Sequence, residues 1–230
     1  MSDAAAEGLV ALGRRVVAAG LVVASGGNLA VRLADQDRIL VTPRGWALDD
    51  LDPAVLVTVG LDGRHISGAY APTTELALHR AAFEVRSDAA VCLHLHPPMA
   101  TLLHAAGLPI RRITTDHAYY LRRLGAVPFI QPGSDELARV VAAELADADV
   151  VLMGHHGCVI LADSFDVGFS RAANLEAAAT ASYRAHVLGA QVAECPPEFL
   201  AEVEALEAAG MVYGKGAGPS SVDADETDGA

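Results

Sequence analysis

The sequence predicts a single α/β domain with mixed strand order. Three observations carry that expectation. At 230 residues the chain suits one compact domain, since a split would leave two small halves. Hydrophobic residues make up 52% and charged residues 20%, enough apolar material for a substantial core and too much for wholesale disorder. Helical and strand-like stretches alternate along the chain, with no internal repeat and no linker between them.

The elements follow in order. Residues 4–19 carry apolar positions at helical spacing, and Gly20 stops them. Ser25-Gly26-Gly27-Asn28 is a turn-rich loop. Residues 29–33 and 39–42 read as short strands around a polar turn at 35–37, and Pro43-Arg44-Gly45 ends the second. Residues 55–60 form another β-branched run before the turn Leu61-Asp62-Gly63. A helix is expected over 74–86, with Pro72 and the threonines at its start. Residues 89–96 read as a buried strand stopped by Pro97-Pro98, and 99–106 as a short helix ending at Gly107. A strand over 126–131 and a Ser134-capped helix over 134–145 come next. Strands over 150–153 and 158–161 flank Gly154-His155-His156-Gly157. Helices over 166–188 and 198–208 close the domain, taken as residues 1–213. The Gly/Ser/Asp-rich stretch 214–230 is expected to be a disordered tail.

Charge and cysteine content narrow the function. A formal net charge of -13 repels phosphate backbones and anionic lipid, so neither nucleic acid nor membrane is the expected partner. A small anionic substrate would need a local positive site, which a metal ion can provide. The three cysteines, Cys92, Cys158 and Cys195, are odd in number and form no CxxC, which points to a reducing compartment without a disulfide framework. The first residues lack a basic region followed by a long apolar stretch, and no apolar run reaches the roughly 20 residues that span a bilayer. A cytoplasmic location is expected.

Two histidine groups suggest metal chemistry. In His94-Leu95-His96, residues i and i+2 of a strand face one side, so two imidazoles converge while Leu95 packs opposite. Pro97-Pro98 then places both rings at the strand's C-terminal rim, where α/β sheets bind ligands. His155 or His156, in the turn before Gly157, can complete the site, and spacing does not choose between them. Glu75 stands at a helix start, where the macrodipole alone would favour a carboxylate. The hydroxyls of Thr73 and Thr74 and the open backbone N–H groups there are suited to phosphate. Arg44-Gly45 adds a cation.

In this order, SGGN, VTPRG, PTTE, HLHP and HHG resemble the class II aldolase/adducin family, most closely its fuculose-phosphate-aldolase type, from about Leu9 to about Tyr213. The resemblance implies a three-layer αβα sandwich with a mainly antiparallel or mixed central sheet. It implies zinc, or another divalent ion such as Mn2+ or Co2+, on His94, His96 and His156, with Glu75 as a resting-state ligand and catalytic acid/base. It implies a phosphate pocket of Gly27, Asn28, Arg44, Gly45, Thr73 and Thr74, with Tyr213 as proton donor. The implied reaction is reversible cleavage of a ketose 1-phosphate to dihydroxyacetone phosphate and a short aldehyde. No Schiff base is needed, and Lys215 is the one lysine. Dehydration or 4-epimerisation at the same site, and a non-catalytic adducin-like assembly role, are the alternatives. Epimerases of the family carry a catalytic Asp where Tyr119 stands here, with Asp116 nearby. Family aldolases usually have Ser or Thr in place of Arg44. The family forms homotetramers with active sites between subunits. His65, His79, His104 and His186 read as structural residues on surface or helix positions, His117 as near the cleft, and Trp46 as packing under the Arg44-Gly45 loop.

Overall fold

The computed structural model describes residues 2–33 and 37–209. Its strands are β1 (Asn28–Arg32), β2 (Arg38–Val41), β3 (Val57–Gly60), β4 (His65–Ser67), β5 (Val91–Leu95), β6 (Leu124–Val127), β7 (Val150–Met153) and β8 (Gly157–Ala162). They form one sheet in the order β4-β3-β2-β1-β5-β8-β7-β6. Each neighbouring pair is antiparallel except β6 with β7. The helices are α1 (Ser2–Ala18), α2 (Leu76–Val85), α3 (Pro98–Ala105), α4 (Thr115–Tyr120), α5 (Asp135–Leu145), α6 (Phe165–Val187) and α7 (Pro197–Ala208).

Strand alternation divides the interior into two cores. Leu29, Val31, Val91, Leu93, Leu95, Cys158 and Ile160 pack against Leu9 and Leu12 of α1, Leu103 of α3 and Leu175 of α6. The intervening Ala30, Cys92, Val159 and Leu161 pack against Phe83 of α2 and Val141 of α5. Sheet and helices thus make the expected three-layer α/β sandwich.

Several elements depart from the sequence reading for local reasons. The edge strand β4 was not anticipated, because its three residues are all exposed and carry no buried-face periodicity. The short α4 was missed as well; Thr114 caps it by accepting from His117 N–H at 3.1 Å. β3 begins at Val57 rather than residue 55, because Pro53–Val55 forms a 3-10 turn closed by Asp52 on Ala54 N–H at 2.8 Å. β6 ends at Val127 and not at 131, where Pro128, lacking an N–H, follows it. Part of the turn expected at 35–37, Tyr213 and the tail 214–230 lie outside the described residues. No helix among the described residues is long and apolar enough to cross a membrane.

A buried ion cluster ties the ends of several elements together. Asp149, 1% exposed, precedes β7 and receives Arg86 at 3.0 Å, Arg123 at 2.8 Å and Arg171 at 2.8 Å. Arg86 also pairs with Asp88 at 2.8 Å and donates to Ala148 O at 3.1 Å.

Candidate metal centre

Strand register brings the first two side chains together. On β5, His94 lies opposite Asn28 of β1 and Val159 of β8. It shares its face with Cys92, on the α2–α5 side, while Leu95 enters the other core. His96 sits just past the strand end, its Nε2 2.9 Å from His94 Nε2. His156 comes from the hairpin turn between β7 and β8, with its ring centroid 4.7 Å from that of His94 and 5.3 Å from that of His96. The candidate ligand nitrogens of all three lie within 4.8 Å of one another.

The turn itself separates His156 from His155. His155 takes the left-handed backbone, φ 55°, is exposed, and has its ring 6.4 Å from that of Phe129. Gly157 is absent from the left-handed glycines. Space is the reason for glycine here. A Cβ on Gly157 would stand 2.3 Å from Leu95 O and 2.6 Å from His96 Cδ2, so the bare backbone lets the turn approach the end of β5.

Glu75 completes the cluster from α2. The helix starts at Leu76, later than the expected 74, and Glu75 occupies its cap position without a side-chain cap bond. Its carboxylate turns inward: Oε2 is 2.9 Å from His94 Nε2 and Oε1 is 3.5 Å from His156 Nε2. Asn28 Nδ2 donates to Oε2 at 3.0 Å, and Thr73 Oγ1 accepts from the Glu75 N–H at 3.2 Å.

These groups fit a divalent cation. His94 Nδ1 lies 3.0 Å from Cys158 O; a carbonyl only accepts, so Nδ1 carries a proton and Nε2 faces the cluster, able to ligate an ion or, without one, to donate to Glu75. Glu75 Oε1 is buried without a hydrogen-bond partner. Three imidazoles and one carboxylate are a donor set that zinc accepts.

The electrostatics keep Glu75, His96 and His156 unprotonated. Burial raises the Glu75 carboxyl, but the hydrogen bond and charge of His94, together with Asn28 and His156, override it and hold the pKa at about 2. Desolvation, then His94 and His156, lowers His96 to about 4. Desolvation and His94 also lower His156. Desolvation pulls the fully buried His79 down to about 3.

These shifts share one sign. An unfolded His titrates near 6.5, and an unfolded Glu near 4.5. Below those values the unfolded chain binds protons that the fold refuses until about 2 to 4. The metal-free protein should therefore lose stability as pH falls from about 6.5 towards 3. Urea midpoints of chelator-treated protein should drop between pH 7.5 and 5; equal midpoints would contradict this.

Two of the loops expected to hold an anion are zipped together beside the cluster. Arg44 N–H donates to Ala71 O at 3.0 Å, Thr73 N–H donates to Thr42 O at 3.1 Å, and Pro43 bridges Pro72. Arg44, Gly45 and Thr74 are exposed there, while Thr73 is buried. Among the described residues the Arg44 guanidinium has no hydrogen bond or ion pair. Gly27 has φ 76°, and a Cβ on it would stand 2.8 Å from His94 O, so this loop packs onto the end of β5. Asn28 follows it as the first residue of β1, and its amide is committed on both sides, to Glu75 and to His79. It orients the carboxylate.

Sequence reasoning missed His79. Placed there among surface or helix histidines, it is on α2 but wholly buried, with Nε2 2.6 Å from Asn28 Oδ1. Its spacing of four from Glu75, on one helical face, was the available signal. Trp46 is partly buried against the core and meets Tyr70 edge-on at 5.3 Å. His117 is buried on α4.

The chain is similar to several known proteins. A family model described as Class II Aldolase and Adducin N-terminal domain matches residues 7–183. The L-fuculose phosphate aldolase of Methanocaldococcus jannaschii is 34% identical over 140 residues, covering 61% of this chain and 74% of that one. The 3-oxo-tetronate 4-phosphate decarboxylase of Haemophilus influenzae is 31% identical over 166 residues, covering 70% and 78%. Among solved structures, YgbL from Klebsiella pneumoniae superposes with a TM-score of 0.81 at 26% identity, over 88% of this chain and 98% of that one. With its fold, its histidine cluster and these matches, the chain belongs to the class II aldolase and adducin family.

Proposed function

We propose that this protein is a metal-dependent aldehyde-lyase that cleaves a carbon–carbon bond in a small sugar phosphate. The reaction is retro-aldol cleavage of an L-fuculose-1-phosphate-like ketose 1-phosphate to dihydroxyacetone phosphate and a short aldehyde. The observation that carries this reading is the convergence of Glu75 Oε1 and Oε2 on His156 and His94, beside the zipped Arg44 and Thr73 loops.

His94, His96, His156 and Glu75 would hold the ion, with zinc proposed and Mn2+ or Co2+ as alternatives. A bound divalent ion supplies Lewis acidity for the negative charge that develops on substrate oxygens. Glu75 moves the proton at the carbon that becomes part of dihydroxyacetone phosphate. Gly27, Arg44, Gly45, Thr73 and Thr74 bind the phosphate, and Asn28 holds Glu75 towards the reacting carbon. Tyr213 exchanges a proton with the aldehyde oxygen. The protein acts in the cytoplasm as a homotetramer with its sites between subunits.

A second reading is decarboxylation of a 3-oxo sugar-acid phosphate, favoured by the 31% identity to an enzyme of that name. The unpaired Arg44 suits either anion. NMR of the products separates the two. Incubation with ketose 1-phosphates should give dihydroxyacetone phosphate and an aldehyde, and a chelator should abolish it. Release of carbon dioxide from a 3-oxo acid phosphate, with no aldol cleavage, would move the assignment to the second reading. Cleavage that survives the chelator would end both.

A further inference from the structure

Glu75 does not present two equivalent oxygens. Oε2 accepts from Asn28 Nδ2 at 3.0 Å and meets His94 Nε2 at 2.9 Å. Oε1 is buried and has no hydrogen bond. The asymmetry depends on which way the Asn28 amide points, because its oxygen and its nitrogen could exchange places. Two contacts agree on it. A carboxylate oxygen only accepts, so Asn28 turns Nδ2 to Glu75; its Oδ1 then faces His79 Nε2 at 2.6 Å, and His79 donates from Nε2. His79 Nδ1 is then the lone-pair nitrogen, and it is buried without a donor. A buried imidazole with one nitrogen unsatisfied costs stability, so its single donated bond needs a reason beyond filling space.

We propose that His79 is a positioning residue: through Asn28 it fixes the amide orientation that clamps Glu75 Oε2 and leaves Oε1 as the oxygen that carries the proton. The relay runs along hydrogen bonds from α2 through β1 and back to the start of α2. His79 and Glu75 stand one turn apart on that helix, and Asn28 bridges them from the facing strand. Without the His79 donor, Asn28 Oδ1 is left without a partner, the amide is free to turn away from Glu75, and the carboxylate loses its clamp. The part of this inference that concerns proton transfer rests on the proposed lyase function; the amide orientation does not.

The test uses the full chain and two variants. His79→Phe keeps a ring without the donor, and His79→Gln restores an N–H. His79→Phe should lower kcat about 10-fold, the lower range for removing a residue that supports a metal ligand. KM and metal content should hold, and His79→Gln should recover most of the loss. In an Asn28→Ala background the His79 substitution should cost nothing further, whereas a purely structural role would cost the same in both. NMR of the metal-free protein, labelled with 15N, reads the orientation independently of activity. The Asn28 side-chain amide resonances should move in His79→Phe and stay in His79→Gln. If wild-type protein cleaves nothing, the function fails and this NMR result still decides the orientation. Unmoved Asn28 resonances, an undiminished kcat in His79→Phe, or an equal loss in the Asn28→Ala background would overturn the proposal.

Discussion

Replacing Glu75 with Gln will lower kcat for carbon–carbon cleavage by about 10²- to 10⁴-fold, the range that a positioned acid/base contributes. Gln keeps the volume and can still accept from Asn28. It cannot take a proton from carbon. KM should change much less, since the proposed anion site of Arg44 and the threonine loop is left intact. Metal content, measured by elemental analysis, should stay near one ion per chain if three imidazoles hold it. Wild-type turnover in the Gln variant would remove Glu75 from its proposed role. Loss of the metal together with activity would make the carboxylate a structural ligand instead.

Asp149→Ala will destabilise the fold by about 3–5 kcal/mol, because it strips the buried Arg171 of its carboxylate partner and leaves Arg86 only Asp88. Arg86 and Arg171 have side chains only 10% and 13% exposed, so water cannot replace the carboxylate. For a chain of this size that corresponds to a Tm lower by roughly 10 °C. Arg123, 43% exposed, should recover its solvation most easily. The cluster lies before β7, whereas His156 follows that strand, so metal binding at low temperature should survive. Calorimetry checks the first expectation and a metal titration the second. A Tm within 2 °C of wild type would show that the guanidinium groups find other partners.

Much of the candidate site was legible because it rests on local rules. Pairing of His94 with His96 follows from strand alternation, and the strand from its apolar run. The resemblance in turn rested on the order of short loops. Other parts depended on contacts that no local pattern encodes. Asn28 looked like an anion-loop residue until register placed it opposite His94 and 47 residues from Glu75, to which it donates. Taken by itself Glu75 read first as a macrodipole partner, and its inward turn is what brings it to the histidines. His79 read as a structural helix histidine, and its burial depends on α2 packing against the sheet, where Asn28 meets it.

The sequence by itself determined the α/β class, the two-histidine strand and the companion loops, because backbone periodicity and turn chemistry act within a few residues. Tertiary structure alone decided which residues face them. The hairpin geometry presents His156 and turns His155 away, which residue spacing left open. Gly157 is needed because another strand end approaches it, a contact that conformational preference does not foresee. Direction along the chain is a local property, but the identity of a partner across a gap depends on how sheet and helices pack.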